Sequence, residues 1–144
     1  MESDDAIERA LTPLRPITYA KIPVEGRWRK PPFPDHLLDG RTVAVVCEDS
    51  GISLLGVDRD GGEVLIVGAD EGPRPVNRSA ALLVACAEVF RKARREAKRA
   101  EDDDEELEAI AARTLAAFAE IDPHAVRDEN QVWSVAAEEL GYGL

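Results

Sequence analysis

Thr42-Val43-Ala44-Val45-Val46-Cys47-Glu48-Asp49-Ser50-Gly51-Ile52-Ser53-Leu54-Leu55-Gly56-Val57-Asp58-Arg59-Asp60-Gly61-Gly62-Glu63-Val64-Leu65-Ile66-Val67 holds three apolar runs separated by two turn clusters. The runs Thr42–Cys47, Ile52–Val57 and Glu63–Val67 are rich in β-branched residues, which predicts strands. Asp49-Ser50-Gly51 and Asp58-Arg59-Asp60-Gly61-Gly62 supply the residue types that tolerate tight turns, and turns this short make neighbouring strands antiparallel. Alternation of apolar and polar residues is imperfect in all three runs. The sheet is therefore expected to carry helices on one face and to be partly covered on the other. The fold class expected is α+β: a small, mainly antiparallel sheet, a meander of three or more strands, flanked by N-terminal and C-terminal helices.

Downstream, residues 69–78 read as a loop rich in Gly, Pro and charge. Ser79 or Asn77 can then cap a helix running to about Ala100, in which Leu82, Leu83, Cys86, Val89, Phe90, Ala93 and Ala97 recur at helical spacing. A second helix is predicted from about Asp104 to Glu120, with Leu107, Ile110, Ala111, Leu115 and Phe118 on one face. Asp103 with Glu106 three residues later has the form of a capping box. Pro123 ends that pattern. A last helix covers about Asn130 to Leu140, with Val132, Trp133, Ala136 and Leu140 in phase and Gly141 as its stop. Upstream, residues 4–11 predict a short helix ended by Pro13 and Pro16. From there to Asp39 the chain is irregular and proline-rich, with a short strand around Ile17–Ile22. Tyr19, Trp28 and Phe33 between the prolines suggest a segment that wraps the protein and buries its rings. The organisation expected is one domain over residues 1–144: a Pro-rich N-terminal wrap (1–39), the meander (40–68) and a helical portion (77–144).

The 144 residues are 44% apolar, and a chain of this length can bury about 70% of the surface it exposes unfolded, so no metal or cross-link is needed to hold a core. The formal net charge of -11 at pH 7 repels nucleic-acid phosphates and anionic membrane surfaces alike. It suits a partner with a basic surface, because opposite fields raise the encounter rate. No run approaches the roughly 20 apolar residues of a membrane span, and the acidic Met1-Glu2-Ser3-Asp4-Asp5 is unlike a secretory leader. Cys47 and Cys86 each lie in an apolar run without C-x-x-C spacing, and read as buried free thiols. Reduced thiols point to the cytoplasm.

A nucleophile needs a base beside it and a group to orient that base. Neither histidine, His36 or His124, neighbours a Ser or Cys in such a pattern, and no catalytic residue is assigned. Asp58-Arg59-Asp60-Gly61 has the opening of a calcium loop but lacks its third acidic ligand and its closing glutamate, so a plain hairpin turn is expected and no metal site. Gly61-Gly62 and Gly68 do not form a phosphate cradle, and no cofactor is expected. Trp28, Phe33 and Trp133 could line a small-molecule pocket in an enzyme, but large aromatics in a chain with few of them usually anchor the core.

One charge pattern bears on partners. Arg91, Lys92, Arg94, Arg95, Lys98 and Arg99 are followed by Glu101, Asp102, Asp103, Asp104, Glu105 and Glu106. Cations at a helix C-terminus and anions at the next N-terminus both complement the helix dipoles, which accounts for the order. The same acidic tip could also imitate nucleic-acid phosphates to a basic protein.

The order of short motifs adds a resemblance. Asp58-Arg59-Asp60-Gly61-Gly62-Glu63-Val64 precedes Val76-Asn77-Arg78-Ser79 at the head of a long helix. Ile121-Asp122-Pro123-His124-Ala125 and Trp133 with Glu138-Glu139-Leu140 and Gly143-Leu144 follow. Over about residues 40–144 this resembles the SUKH superfamily of bacterial immunity proteins, in particular its fourth subgroup. Arg78 stands where that subgroup usually has Ser, and Trp133 is single where a pair is common. The resemblance implies an α+β fold, no catalytic residues, and a cytoplasmic protein that neutralises a secreted polymorphic toxin, often a nuclease or nucleic-acid deaminase. The cognate toxin is then the expected partner, with no nucleic acid and no membrane. Asp70, Glu71, Asp102, Asp103, Asp104, Glu105 and Glu106 are the candidate contacts. The alternative is a regulatory protein-binding module unrelated to toxins.

Overall fold

The computed structural model describes residues 1–144 and is an α+β fold. Helix α1 (Asp4–Leu11) is followed by strands β1 (Arg27–Trp28), β2 (Asp35–Leu38), β3 (Arg41–Asp49), β4 (Ser53–Asp58), β5 (Val64–Gly68) and β6 (Pro73–Asn77). Helices α2 (Ala80–Arg99), α3 (Asp104–Ile121) and α4 (Val132–Leu140) complete the chain. The three expected strands are β3, β4 and β5, paired antiparallel in sequence order. The sheet is wider than the meander, because β6 pairs with β5 while β2 and β1 share the other edge of β3.

Two sequence expectations need correction here. Residues 69–78 are not all loop, since Pro73–Asn77 form an edge strand. Pro73 and Pro75 hid it, yet proline is tolerated at an edge, where an absent N–H faces no partner. The strand expected at Ile17–Ile22 is a turn, with the Thr18 carbonyl accepting from Lys21 N (2.9 Å) and Ile22 N (3.1 Å).

The core explains the imperfect alternation. Ala44, Val46, Cys47, Leu55, Val57, Val64 and Val76 join one cluster with Leu83, Cys86 and Phe90 of α2, Leu107, Ile110 and Phe118 of α3, and Trp133, Ala136 and Leu140 of α4. On the other face Val43, Val45 and Leu65 are buried as well. Gly56 makes room there, since a Cβ would stand 2.1 Å from Val43 Cγ1. Central β3 is thus buried on both sides and reads as a continuous apolar run.

The Pro-rich segment buries Leu14, Ile22, Val24 and Phe33. Tyr19 is the exception: it is 46% exposed, with the Arg94 guanidinium 5.7 Å from its ring centroid. Gly26, at φ 135°, brings the chain flush against β3, where a Cβ would lie 2.9 Å from the Glu48 carbonyl.

Arg59, in the β4–β5 turn, ties this wrap down. It donates to Asp4 Oδ1 (2.6 Å), Asp35 Oδ1 (2.7 Å) and the Glu2 carbonyl (3.1 Å). Asp58, beside it, accepts from the Asp60 and Gly61 amides and from Arg41, so the turn is a hairpin turn whose carboxylate is already used. The hydrogen bond from Arg59 holds the Asp4 carboxyl below its ordinary value; partial burial opposes this, and the Phe33 amide adds to it. A carboxyl lowered in the folded state adds stability that is present above its unfolded pKa, about 4, and is lost as pH falls through the folded value. Asp4→Asn is therefore expected to be less stable than the native chain at neutral pH, with the gap closing on acidification. Thermal melts of both proteins across the acid range check this, and a gap independent of pH would refute it.

Candidate protein-binding surface

The residues that carry the motif pattern converge inside the protein. Asn77 ends β6, Ser79 caps α2 by accepting from Leu82 N (3.2 Å), Asp122 caps the end of α3, and Trp133 lies in the first turn of α4. The Asp122 side chain is wholly buried. It accepts from Asn77 Nδ2 (3.0 Å), from the Arg78 backbone N–H (2.9 Å) and from Arg78 Nε (3.0 Å). Trp133 donates its indole N–H to Asn77 Oδ1 at 2.7 Å. Its ring packs against Phe118 and Phe90, with centroids 4.9 and 5.8 Å away. Buried polar atoms require partners, and here they come from the end of β6, the β6–α2 junction, the end of α3 and α4. The node thus fixes sheet edge, α2, α3 and α4 relative to one another. Arg78 also supplies a half-exposed guanidinium that reaches the second carboxylate oxygen.

Cys47 and Cys86 are free and buried, and burial pushes both thiols up to about 11. Phe33 and Trp133 belong to the core, and Trp28 packs against it. His36 lies in β2, and His124 contacts Arg127. No three His, Cys, Asp or Glu side chains are grouped so as to hold a metal ion.

The acidic candidates lie on two separate elements, and no hydrogen bond or ion pair joins them. Asp70 and Glu71 are exposed at the β5–β6 turn, with Glu71 3.6 Å from Arg74. The Ala69 amide donates to the Ile52 carbonyl (2.9 Å), which sets this turn beside the β3–β4 turn. The two turns enclose a shallow depression of about 500 Å³, into which the 63%-exposed Ile52 also faces. An adjoining hollow of about 440 Å³ adds Glu48, Asp49, Leu54 and Val67. Glu48 and Asp49 were not among the candidate contacts; the pairing of Ser53 with Gly68 brings the turn after β5 to the same end of the sheet as the β3–β4 turn, which sets them near Asp70 and Glu71.

Asp102, Asp103, Asp104, Glu105 and Glu106 lie at the α2–α3 junction. Asp103 caps α3, accepting from Glu106 N at 3.1 Å. The reciprocal half of the capping box is not made: Asp103 N donates to the Ala100 carbonyl, while the Glu106 carboxylate accepts from Arg113 (3.3 Å). Asp102, Asp104 and Glu105 are exposed and unpaired. None of the six cations from Arg91 to Arg99 makes an ion pair either. No helix is long and apolar enough to cross a membrane.

Among known families, the model described as SUKH-4 immunity protein matches residues 8–139. The match takes in most of the Pro-rich wrap, beyond the residues on which the motif resemblance rested. No curated protein and no solved structure matches the chain.

Proposed function

Because the chain belongs to the SUKH-4 immunity protein family, we propose that it acts in the cytoplasm by binding a secreted polymorphic toxin domain and covering its active site, without catalysing a reaction itself. The family match over residues 8–139 carries this reading. The net charge of -11 supports it, because toxins that act on nucleic acids carry basic substrate grooves that an acidic protein can occupy. The proposed contacts are Asp70 and Glu71 at the sheet end and Asp102, Asp103, Asp104, Glu105 and Glu106 at the α2–α3 junction. Asp103 and Glu106 also serve helix α3, so the free carboxylates Asp70, Asp102, Asp104 and Glu105 are the better tests of contact.

Sequencing the neighbouring genes for a toxin domain, and co-expressing that domain with this chain, is the direct experiment. The native protein is expected to restore growth. Charge reversal of a contacting pair, Asp70→Lys with Glu71→Lys or Asp104→Lys with Glu105→Lys, is expected to weaken binding by about 100-fold or more, mainly where the reversed charges meet a desolvated cation. Failure of the native protein to protect the cell would overturn the reading. Full protection by both reversed variants would remove both acidic clusters from the interface.

A further inference from the structure

Helices α3 and α4 leave a trough between them. On α3 it is lined by Asp104, Glu108, Ala111 and Leu115, and on α4 by Ala137 and Glu138. It consists of two depressions of about 550 and 450 Å³ that share Ala111 and Glu138. The spacings are helical, so each helix contributes one continuous stripe. Alanines form the floor and let a partner's backbone approach closely, while Leu115, 41% exposed, stands as an apolar contact.

Two observations give this trough a direction. Ser134 lines it with a hydroxyl that is buried, in a residue only 9% exposed, and has no hydrogen-bond partner. A buried polar atom without a partner is uncommon in folded proteins, so this wall of the trough holds an unused hydrogen-bonding group. The rim is acidic throughout. Asp104, Glu108, Glu129 and Glu138 line it, none is ion-paired, and no Lys or Arg lines either depression. The only cation of α3, Arg113, is engaged elsewhere with Glu96 and Glu106. At the sheet end, by contrast, Arg29 already neutralises Glu48 and Arg74 sits beside Glu71.

We infer that the α3–α4 trough is a docking surface for a basic amphipathic helical segment of the toxin domain, apolar side chains toward Ala111 and Leu115 and cations on the acidic rim. The identity of the occupant rests on the toxin-neutralising reading; the trough's preference for a basic amphipathic helix does not. Of the proposed contacts, only Asp104 is common to both surfaces.

The test uses the full chain and, as probe, a designed amphipathic helix of leucine and lysine, titrated by calorimetry at physiological salt. Leu115→Arg and Glu138→Lys change exposed positions, and unchanged melting temperatures would show both variants folded. Each is expected to bind the peptide about tenfold or more weakly, while Glu88→Lys on exposed α2, the same charge change as Glu138→Lys, stays near native affinity. Leu115→Arg is also expected to lose protection in the co-expression experiment. Native peptide affinity in Leu115→Arg overturns the inference, as does an equal loss in Glu88→Lys, which would mark a general charge effect. Full protection by Leu115→Arg also overturns it. A native dimer that Leu115→Arg dissociates would do so too, by assigning the trough to a second copy of the chain. If the native protein protects no cell, the toxin reading fails separately, and the peptide titration still decides whether the trough takes a basic helix.

Discussion

Asp122→Ala is expected to lower the stability of the folded protein by roughly 2–6 kcal/mol, about 1–3 kcal/mol for each of two hydrogen-bond donors left without an acceptor. The substitution leaves the Asn77 side-chain N–H and the Arg78 amide without their acceptor, in a place where Asn77 itself is 1% exposed. It also cuts the tie between the end of α3 and the β6–α2 junction. Arg78→Ser is expected to cost only about 1 kcal/mol, because a half-exposed ion pair is weak and the other two bonds to Asp122 remain. Urea unfolding with an unchanged m-value reads both numbers. A cost below about 1 kcal/mol for Asp122→Ala would show that water replaces the lost acceptor and that the node holds nothing together.

That contrast bears on how far the sequence could be read. Helices α2, α3 and α4 were legible because local signals agree: apolar period, the Ser79 and Asp103 caps, Pro123 and Gly141. Strands β3, β4 and β5 were legible for the same reason. Strands β1, β2 and β6 were not, because an edge strand is defined by its neighbour. Arg27–Trp28 is two residues long, and Pro73 and Pro75 argue locally against β structure. In α3 the period was right but its centre was displaced. Leu115, expected on the core face, is 41% exposed, and Thr114, seven residues from Leu107 and four from Ile110, takes the buried place.

Binding surfaces were harder still. Exposure of Asp70 and Glu71 follows from their turn, but their nearness to Glu48 and Asp49 follows from strand pairing. The α3–α4 trough depends on which stripe each helix leaves uncovered. The residues that carried the motif resemblance behaved in the opposite way, since Asn77, Asp122 and Trp133 are all buried. They mark the scaffold, and a surface that differs from one partner to another can vary around them.

Trp133→Ala tests that separation of scaffold from surface. The side chain is 0% exposed and lies between Phe90 and Phe118, so its removal is expected to cost about 3–5 kcal/mol in lost burial and an unfilled cavity. Trp133→Phe retains much of the packing but leaves Asn77 Oδ1 without its donor, and is expected to cost about 1–3 kcal/mol. Both variants should protect cells less well against the toxin domain. The loss should follow the unfolded fraction, so it should shrink on cooling toward the temperature of greatest stability, while the dissociation constant of the folded molecules stays native. A trough or acidic-cluster variant should behave the other way, with native melting and weaker binding. Trp133→Phe that melts like the native chain and still binds weakly would place this side chain in the recognition surface, and the buried node would then have to transmit its effect through α4 to the trough.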